Sequence, residues 1–383
     1  MRSAFFHNNN MQAFYNGTVF TGDRFINGVA VLVNKGMVEA VIPAADIPAD
    51  TDRYDLQGNF LVPAFIDLQL YGGNGLLFSQ TLNDKAITAT DAYCVTGGCT
   101  RFLLTMATNS IAVFLQGIDV VKKFLQQNQT SGLLGLHLEG PYINPVKRGA
   151  HLAEHIKQPT VDEIKLLLDK AEGTVKMMTL APEQCSDEVL QLLIDNHVVV
   201  SAGHSNATYK QATEGFNKGI TAATHLFNAM SPLQGRELGM VGAIYDHATA
   251  YSSIVCDGFH TSFEAVRISK KMMQERLFLI TDAVTETKEG AYQHLLKDDR
   301  YVLPDGTLSG SALTMMSAVN NCMLHAGIEF DEALRMASLY PARVANLLQH
   351  GKIEEGFVAD FAVLSKTKLV TAAFRSGRLL KNN

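Results

Sequence analysis

The sequence is short of cysteine, of long apolar runs and of charge of one sign. Its five cysteines are an odd number, and no CxxC pair occurs among them. A disulfide framework or a four-cysteine zinc site is therefore disfavoured. No apolar run approaches the ~20 residues that span a bilayer, and the opening residues MRSAFFHNNN lack the continuous apolar stretch of a signal peptide. We therefore expect a soluble cytoplasmic protein that binds no membrane.

Charge is spread thinly along the chain. Charged residues make up 18% of it, the formal net charge is -6, and no block of like charge stands out. A basic surface for nucleic-acid binding is therefore not expected. Hydrophobic residues make up 47% of the chain, which is enough for a large core. The length of 383 residues suits two or three domains, or one barrel of about 250 residues with a small partner.

The two ends of the chain differ from its middle in their pattern of apolar and turn residues. FYNGTVFTG and GVAVLVNKG near the start, and ADFAVLS near the end, are short apolar runs bounded by turn residues. The simplest organisation is one small β domain built from residues 1–62 and 350–383. Residues 63–349 would then form a body inserted between its two parts.

The middle of the chain alternates short apolar runs with helical patterns such as VDEIKLLLDKA. Such runs, without polar alternation, suit parallel strands that are buried on both faces. Eight strand–helix units predict an α/β protein with a (β/α)8 TIM-like barrel, and a doubly wound open sheet is the alternative. The predicted strands are Phe65–Leu70, Arg101–Thr105, Leu133–Leu138, Val175–Leu180, His197–Ala202, Ile220–Thr224, Tyr251–Cys256 and Leu277–Ile280.

Polar and titratable residues concentrate where these predicted strands end. In a barrel of this kind, the carboxyl ends of the strands form one rim, and catalytic groups lie there. We therefore expect the side chains at these positions to converge at one barrel mouth. They are Gln69, Glu139, His204, His225, His260 and Asp282.

Three of these residues fit the ligands of a catalytic metal. Zinc sites commonly mix histidine and carboxylate ligands and leave one position for water, which suits Glu139, His204 and His225. A nearby carboxylate, here Asp282, can take a proton from that water and deliver it to a leaving group. Taken singly, each residue has an ordinary explanation, such as a hydrogen-bonded core histidine or a helix cap. Their coincidence at strand ends favours the metal site, although no HExxH motif supports it.

Longer motifs around these positions resemble the N-acetylglucosamine-6-phosphate deacetylases of the amidohydrolase superfamily. HLEGP, AGHSNAT and HLFNAM are specific to the deacetylases rather than to amidohydrolases in general. The resemblance rests on GLHLEGPYINPVKRGAH (135–151), SAGHSNAT (201–208), ATHLFNAMSPLQGRE (223–237), DGFH (257–260), ITDA (280–283), DGTLSGSALTM (305–315) and MASLYPAR (336–343).

The resemblance implies a (β/α)8 barrel with a small β-sandwich built from both termini. It also implies hydrolysis of the acetamide of N-acetyl-D-glucosamine 6-phosphate, which gives D-glucosamine 6-phosphate and acetate in amino-sugar catabolism. One divalent metal per subunit, usually zinc, is implied to be held by Glu139, His204 and His225. Asp282 is implied to act as general base and then general acid, and His151 to polarise the acetamide carbonyl.

The family's substrate contacts carry over to a further set of residues. The arginine aligned with Arg236 reaches in from the neighbouring subunit, so a homodimer is implied. An arginine can bind phosphate with two parallel hydrogen bonds, and His260 can donate one more. The residues implied to bind the sugar phosphate are Ala150, His151, Asn228, Ala229, Arg236, His260, Leu308, Ser309 and Gly310.

The end of the first predicted strand departs from the pattern of many amidohydrolases. Those proteins carry His-x-His there and bind a second metal, whereas this chain has Gln69 and Tyr71. Neutral glutamine and tyrosine are poor replacements for imidazole, so we expect a single metal. Gln69 can still hydrogen-bond a metal-bound water, and Tyr71 is expected to pack at the barrel mouth.

Several alternatives stay open at this point. The Arg236 and His260 pair indicates a phosphate but says little about the configuration at C4 of the sugar, so N-acetylgalactosamine 6-phosphate is a second possible substrate. A catalytically inactive sugar-phosphate-binding homologue is a third possibility, although the intact Glu139 and Asp282 argue against it. Zinc and Fe²⁺ both accept histidine and carboxylate ligands, so the metal itself is open.

Overall fold

The computed structural model describes residues 11–382, and its centre is a barrel of eight parallel strands. Each strand pairs with the next along the chain, and a bridge between Leu70 and Ala283 brings the first strand beside the segment that follows the eighth. This nearly closed barrel confirms the predicted (β/α)8 fold over the open sheet. The strands are Phe65–Leu70, Cys99–Ala107, Leu133–Glu139, Val175–Leu180, Val199–Ala202, Ala222–Ala223, Tyr251–Ile254 and Leu277–Leu279.

Helices surround the barrel, and their starts follow from the sequence. Ser110, Thr160 and Ser186 each precede a helix, and each side chain accepts a hydrogen bond from the backbone N–H three residues later. Such caps satisfy N–H groups that have no partner within the helix. The helices are Phe78–Thr81, Asp84–Thr96, Ile111–Gln127, Val161–Ala171, Asp187–Asp195, Tyr209–Asn217, Gly239–Asp246, Phe263–Met273, Met315–Leu324, Phe330–Ala337 and Leu339–Val344.

Both ends of the chain build a small domain of two sheets, as predicted. One sheet contains Met37–Pro43, Val29–Asn34, Gln12–Tyr15 and Asp52–Asp55. The other contains Arg378–Asn382, Val370–Arg375, Phe361–Leu364, Phe60–Pro63, Thr18–Phe20 and Phe25–Ile26. Because Phe361–Leu364 pairs antiparallel with Phe60–Pro63, the two termini are joined within one sheet. The domain boundaries stay a prediction, with residues 1–62 and 350–383 assigned to the small domain and residues 63–349 to the barrel. Residues 1–10 lie outside the part of the chain that the structure describes.

The small domain has its own core and is fastened to the barrel by ion pairs. Phe14 contacts the rings of Phe361 and Phe374 edge to face, at centroid distances of 5.2 and 4.9 Å. Arg375 is buried and binds both carboxylate oxygens of Asp91, at 2.5 and 3.1 Å. Paired guanidinium and carboxylate groups allow charge to be buried between two apolar cores.

A three-stranded insertion follows the eighth barrel strand. Its strands are Leu295–Lys297, Arg300–Val302 and Leu308–Ser311, and they pair antiparallel in chain order. A short hairpin of Gly72–Gly73 and Leu76–Leu77 follows the first barrel strand. Within residues 11–382, no helix combines the length and apolar character that crossing a membrane requires.

Candidate active site

Glu139, His204 and His225 converge at the carboxyl ends of their strands. His225 Nε2 lies 3.0 Å from both Glu139 Oε1 and His204 Nε2, and His204 Nε2 lies 3.3 Å from Glu139 Oε1. All three side chains are buried. Three atoms from different segments, each of a type that can bind a metal, therefore lie within 3.3 Å of one another at the strand ends. Their role as ligands stays a prediction.

The backbone is strained where two of these residues and Asp282 stand. His204, His225 and Asp282 have φ values of 48°, 39° and 54°, in the left-handed region that residues with a Cβ seldom adopt. Hydrogen bonds hold two of them there: the N–H of His225 donates to Ser253 Oγ, and the N–H of Asp282 donates to the Gln69 carbonyl. Strain of this kind persists where surrounding contacts compensate it, and it is concentrated in functional sites.

The hydrogen bond at Nδ1 of His204 determines which of its two ring nitrogens carries the proton. His204 Nδ1 lies 2.8 Å from the carbonyl oxygen of Lys147. A carbonyl can only accept, so Nδ1 must donate, and in the neutral ring Nε2 then keeps a free lone pair. That lone pair points at Glu139 Oε1, another acceptor. Two facing acceptors are the arrangement that a cation stabilises, so the donor set fits a divalent metal.

His151 offers a second possible ligand set, because one nitrogen each of His151 and His204 and an oxygen of Glu139 lie within 4.8 Å of one another. Its hydrogen bonds distinguish it from His204. His151 Nδ1 accepts from the backbone N–H of Thr108 at 3.2 Å and also lies 2.7 Å from Thr108 Oγ1. Nδ1 is therefore unprotonated in the neutral ring, and Nε2 carries a proton that it can donate. His151 thus suits a hydrogen-bond donor, and His225 remains the better third ligand.

Burial and close charges shift the pKa values of these groups. Burial would raise the pKa of Glu139, but the neighbouring His151, His204 and His225 hold it well below its usual range. Burial, helped by His151, lowers the pKa of His204 to about 4. Burial also disfavours the charged form of His225, yet the bond to Glu139 raises its pKa. Glu139 is therefore ionised and His204 neutral at pH 7, the states that suit metal ligands. The raised pKa of His225 favours its protonated form beside Glu139, and a bound cation would have to displace that proton.

Asp282 faces this group from the end of the eighth strand. Its Oδ1 accepts from Gln69 Nε2 at 2.9 Å, and its Oδ2 lies 3.4 Å from His260 Nε2. Burial raises the pKa of Asp282 to about 6, against the opposing effects of His260 and His225. A carboxylate that titrates near neutrality can both accept and return a proton.

Tyr71 makes polar contacts in the site that the sequence did not predict. Its hydroxyl donates to Glu139 Oε2 at 2.5 Å and lies 3.2 Å from Asp282 Oδ1. Gln69 Nε2 donates to the Tyr71 hydroxyl at 2.8 Å. The expectation that Tyr71 only packs at the mouth is therefore incomplete. Two neutral donors, Gln69 and Tyr71, therefore lie between the carboxylates of Glu139 and Asp282.

Thr108 was also missed, although the sequence carried a signal for it. The second strand continues to Ala107, beyond the predicted end at Thr105. Thr108 is the first residue after the strand and is buried at the mouth. Applying the strand-end rule to the full strand would have found it.

The other predicted contact residues lie around the same mouth, with one exception. Asn228 donates to the carbonyl oxygens of His225 and Leu226. Gly310 lies against Asp282, since a Cβ at Gly310 would meet the Asp282 carbonyl oxygen at 3.2 Å. The half-buried members of this predicted set are Ala150, Asn228, Ala229, His260, Leu308 and Ser309.

The exception is Arg236, which is exposed and forms no hydrogen bond or ion pair with the site residues in the part of the chain that the structure describes. It lies in a loop, residues 232–238, whose members are all exposed. Leu233 and Leu238 in this loop are 50% and 39% exposed. Apolar exposure beside an arginine is typical of protein interfaces.

Known proteins match this chain along nearly all of its length. Residues 60–380 match the Amidohydrolase family, and residues 11–61 match the NagA composite domain. An N-acetylglucosamine-6-phosphate deacetylase from Haemophilus influenzae is 34% identical over 97% of this chain and 99% of that relative. An N-acetylgalactosamine-6-phosphate deacetylase from Shewanella sp. (strain ANA-3) is 33% identical over 88% of this chain and 87% of the relative.

The fold is similar to solved structures to the same extent. The crystal structure of N-acetylglucosamine-6-phosphate deacetylase from Pasteurella multocida superposes with a TM-score of 0.93 and 32% sequence identity, covering 97% of this chain and all of that one (100%). The first matched region spans the barrel and the C-terminal strands of the small domain, and the second spans the N-terminal part of the small domain. Sequence and fold therefore lead to the same group of proteins.

Proposed function

This chain belongs to the amidohydrolase family and, within it, to the N-acetylglucosamine-6-phosphate deacetylases, and from this membership we propose that it hydrolyses the acetamide of N-acetyl-D-glucosamine 6-phosphate. The products are D-glucosamine 6-phosphate and acetate. The observation that carries the proposal is the convergence of Glu139, His204 and His225 opposite Asp282. An inactive homologue would not need to keep a metal-competent group facing a buried carboxylate.

The metal site proposed here consists of Glu139, His204 and His225, with one ion per subunit. Zinc is the proposed metal, because nitrogen and carboxylate ligands suit it, and Fe²⁺ is the second choice. When bound, a divalent cation supplies Lewis acidity toward water and toward the amide carbonyl. Gln69 and Tyr71 donate to the carboxylates beside it and offer no imidazole for a second ion.

The chain's own groups supply the proton transfers. Asp282 accepts a proton from the attacking water as the bond to the amide carbon forms. His151 donates a hydrogen bond from its Nε2–H to the carbonyl oxygen, where negative charge develops. Asp282 then returns the proton to the sugar nitrogen, and the carbon–nitrogen bond breaks to release the amine. Asp282 therefore carries the proton from water to the leaving amine, while His151 keeps its proton and stabilises the carbonyl oxygen.

Substrate is proposed to be held through its phosphate by Arg236 of a neighbouring subunit in a homodimer. Exposure of the 232–238 loop, with its two leucines, supports this arrangement. Mixing inactive Arg236→Ala and Asp282→Asn subunits tests it, because one site of each mixed dimer would be intact. We expect about a quarter of wild-type activity after random reassortment. No recovery in mixed dimers whose formation is verified would mean that Arg236 does not act across the interface.

The substrate assignment is tested by acetate release together with metal quantification. We expect rapid release from the glucosamine epimer, with one metal per chain. The Shewanella relative makes N-acetylgalactosamine 6-phosphate the second candidate, and faster turnover of that epimer would replace the proposal. Bound sugar phosphate without acetate release, in a fully metal-loaded protein, would support an inactive homologue instead.

A cytoplasmic location is also proposed. All five cysteines are free and four of them are buried, which suits a reducing compartment. Amino-sugar phosphates are charged metabolites that cells retain, so an enzyme acting on them is expected beside them.

A further inference from the structure

The insertion after the eighth strand touches the candidate site at two separate places. At its far end, the Ser311 N–H donates to the Asp282 carbonyl at 2.9 Å, and the Val284 N–H donates to the Ser311 carbonyl at 3.2 Å. At its near end, the Tyr292 hydroxyl donates to the Thr108 carbonyl at 2.6 Å. One segment, residues 284–311, therefore connects the strand ends that carry Asp282 and Thr108.

Thr108 holds the ring of His151 from one side. Its N–H and its hydroxyl both contact His151 Nδ1, at 3.2 and 2.7 Å. The opposite ring nitrogen, Nε2, lies 3.4 Å from Glu139 Oε2. Because the Thr108 N–H can only donate, it fixes both the rotation of the ring and the nitrogen that carries the proton.

Tyr292 is itself firmly placed in the insertion. The Thr287 hydroxyl donates to the Tyr292 carbonyl at 2.9 Å, and the backbones of Thr287 and His294 exchange two hydrogen bonds. The Tyr292 side chain is buried, and burial raises the pKa of its hydroxyl. The hydroxyl therefore stays protonated and donates a hydrogen bond to the Thr108 carbonyl.

We propose that Tyr292 is a positioning residue for His151, acting through the Thr108 backbone, so that the insertion fixes the proton-donating nitrogen of the site. The proposal rests on the proposed function for its kinetic consequence alone. Without the Tyr292 hydroxyl, a buried carbonyl loses its partner. The following peptide unit, which carries the Thr108 carbonyl, is then free to turn, and Thr108, whose N–H lies on the other side of the same Cα, is held less firmly against His151. His151 would then sample both tautomers and both ring orientations, and the carbonyl oxygen would lose a preorganised donor.

Tyr292→Phe is the direct test, because it removes one hydroxyl and keeps the ring. We expect kcat to fall about 10-fold, with KM within about twofold and metal content unchanged. Tyr93→Phe is the matched control. The Tyr93 hydroxyl also donates to a backbone carbonyl, that of Leu313, at 2.9 Å, but within residues 11–382 it forms no hydrogen bond with Thr108 or His151. Equal loss of kcat in the two variants would overturn the proposal.

A spectroscopic readout separates this proposal from the deacetylase assignment. ¹⁵N NMR of the metal-loaded protein without substrate reports the tautomer of His151, with its signals assigned by their absence in His151→Gln. We expect the Nε2–H form in the wild type and in Tyr93→Phe, and a mixture in Tyr292→Phe. An unchanged tautomer in Tyr292→Phe would overturn the proposal whatever the substrate proves to be.

A milder variant covers the case in which Tyr292→Phe does not fold. Thr287→Ala removes the bond to the Tyr292 carbonyl and leaves the phenol in place. We expect a change in kcat and tautomer of the same kind but smaller, on the order of threefold in kcat. Wild-type kcat and tautomer in Thr287→Ala, when Tyr292→Phe cannot be measured, would count against the proposal.

Discussion

Several residues with positive φ values are buried at the barrel mouth, whereas in the small domain others are exposed in turns. In the small domain, Asn16 and Lys35 have positive φ values, but both are exposed and each is followed by a glycine in a turn. At the mouth, His204, His225 and Asp282 have positive φ values and are buried. A turn tolerates such a residue because solvent satisfies its polar groups, whereas the mouth must hold it with specific hydrogen bonds.

The junction between the two domains stabilises the fold, whereas the mouth keeps polar groups in arrangements that cost stability. The small domain and its junction with the barrel pair their charges, as Arg375 and Asp91 do. At the mouth, buried Nδ1 of His225 has no hydrogen-bond partner, and acceptor atoms face one another. Substitutions at the mouth should therefore affect activity more than folding, and substitutions at the junction should do the reverse.

The largest effect is expected for Asp282→Asn. This variant loses the group that takes and returns the proton, so kcat should fall on the order of 10³- to 10⁴-fold. Metal content should stay the same, and the unfolding midpoint should be equal or higher, because a buried carboxylate is removed. Acetate release, metal analysis and thermal unfolding measure the three quantities. An active variant would remove Asp282 from the proton transfer.

Metal affinity should separate His225 from His151, which are both buried at the mouth. His225→Ala is expected to weaken metal binding by at least about 100-fold, because it removes a proposed ligand. His151→Ala should keep the metal and lose catalysis, because its protonated nitrogen faces the site. Titration with a competing chelator measures both affinities. Loss of metal in His151→Ala with retention in His225→Ala would reverse the two roles.

At the junction, Arg375→Ala should destabilise the protein by about 3 kcal/mol, because it leaves Asp91 without its buried partner. The kcat of the folded fraction should stay within about twofold, since the pair is remote from the mouth. Denaturant unfolding gives the free energy of unfolding. Lys210→Ala is the control, since Lys210 lies 3.8 Å from Glu214 on the surface, and its loss should cost under about 0.5 kcal/mol. Equal effects of the two substitutions would contradict the contrast between junction and surface.

The smallest effect concerns Asp67, which lies in the first strand below the mouth. Burial raises its pKa to about 7, against the opposing bond from the Thr281 hydroxyl. Because the folded-state pKa lies above the unfolded one, the folded state binds more protons, and stability falls as pH rises toward 7. Between pH 5.5 and 7 this contribution amounts to about 2 kcal/mol.

Asp67→Asn should remove this dependence of the free energy of unfolding on pH. We expect its free energy of unfolding, relative to the wild type, to increase by about 2 kcal/mol from pH 5.5 to pH 7. Chemical denaturation at several pH values, with the metal complement held constant, measures the difference. Parallel stability curves for the two proteins would show that Asp67 keeps an ordinary pKa.

The strand-end rule predicted much of the site because it depends on topology alone. Parallel strands all point the same way, so whatever follows each strand lies at one rim, and Glu139, His204, His225 and Asp282 all met there. The rule failed where a strand was predicted too short, as at Thr108. It also could not tell that Tyr71 would turn its hydroxyl toward Glu139, since that depends on a partner 68 residues away.

The amino-acid order alone determined the eight-unit barrel, the joining of the two ends in one small domain and most of the residues presented at the mouth. These follow from local apolar patterns and from the common direction of the strands. Only the tertiary structure decided which ring nitrogen of His151 and of His204 carries the proton, and which group faces the other nitrogen. A ring nitrogen is set by the donor or acceptor that faces it, and for His151 and His204 those partners come from distant segments of the chain.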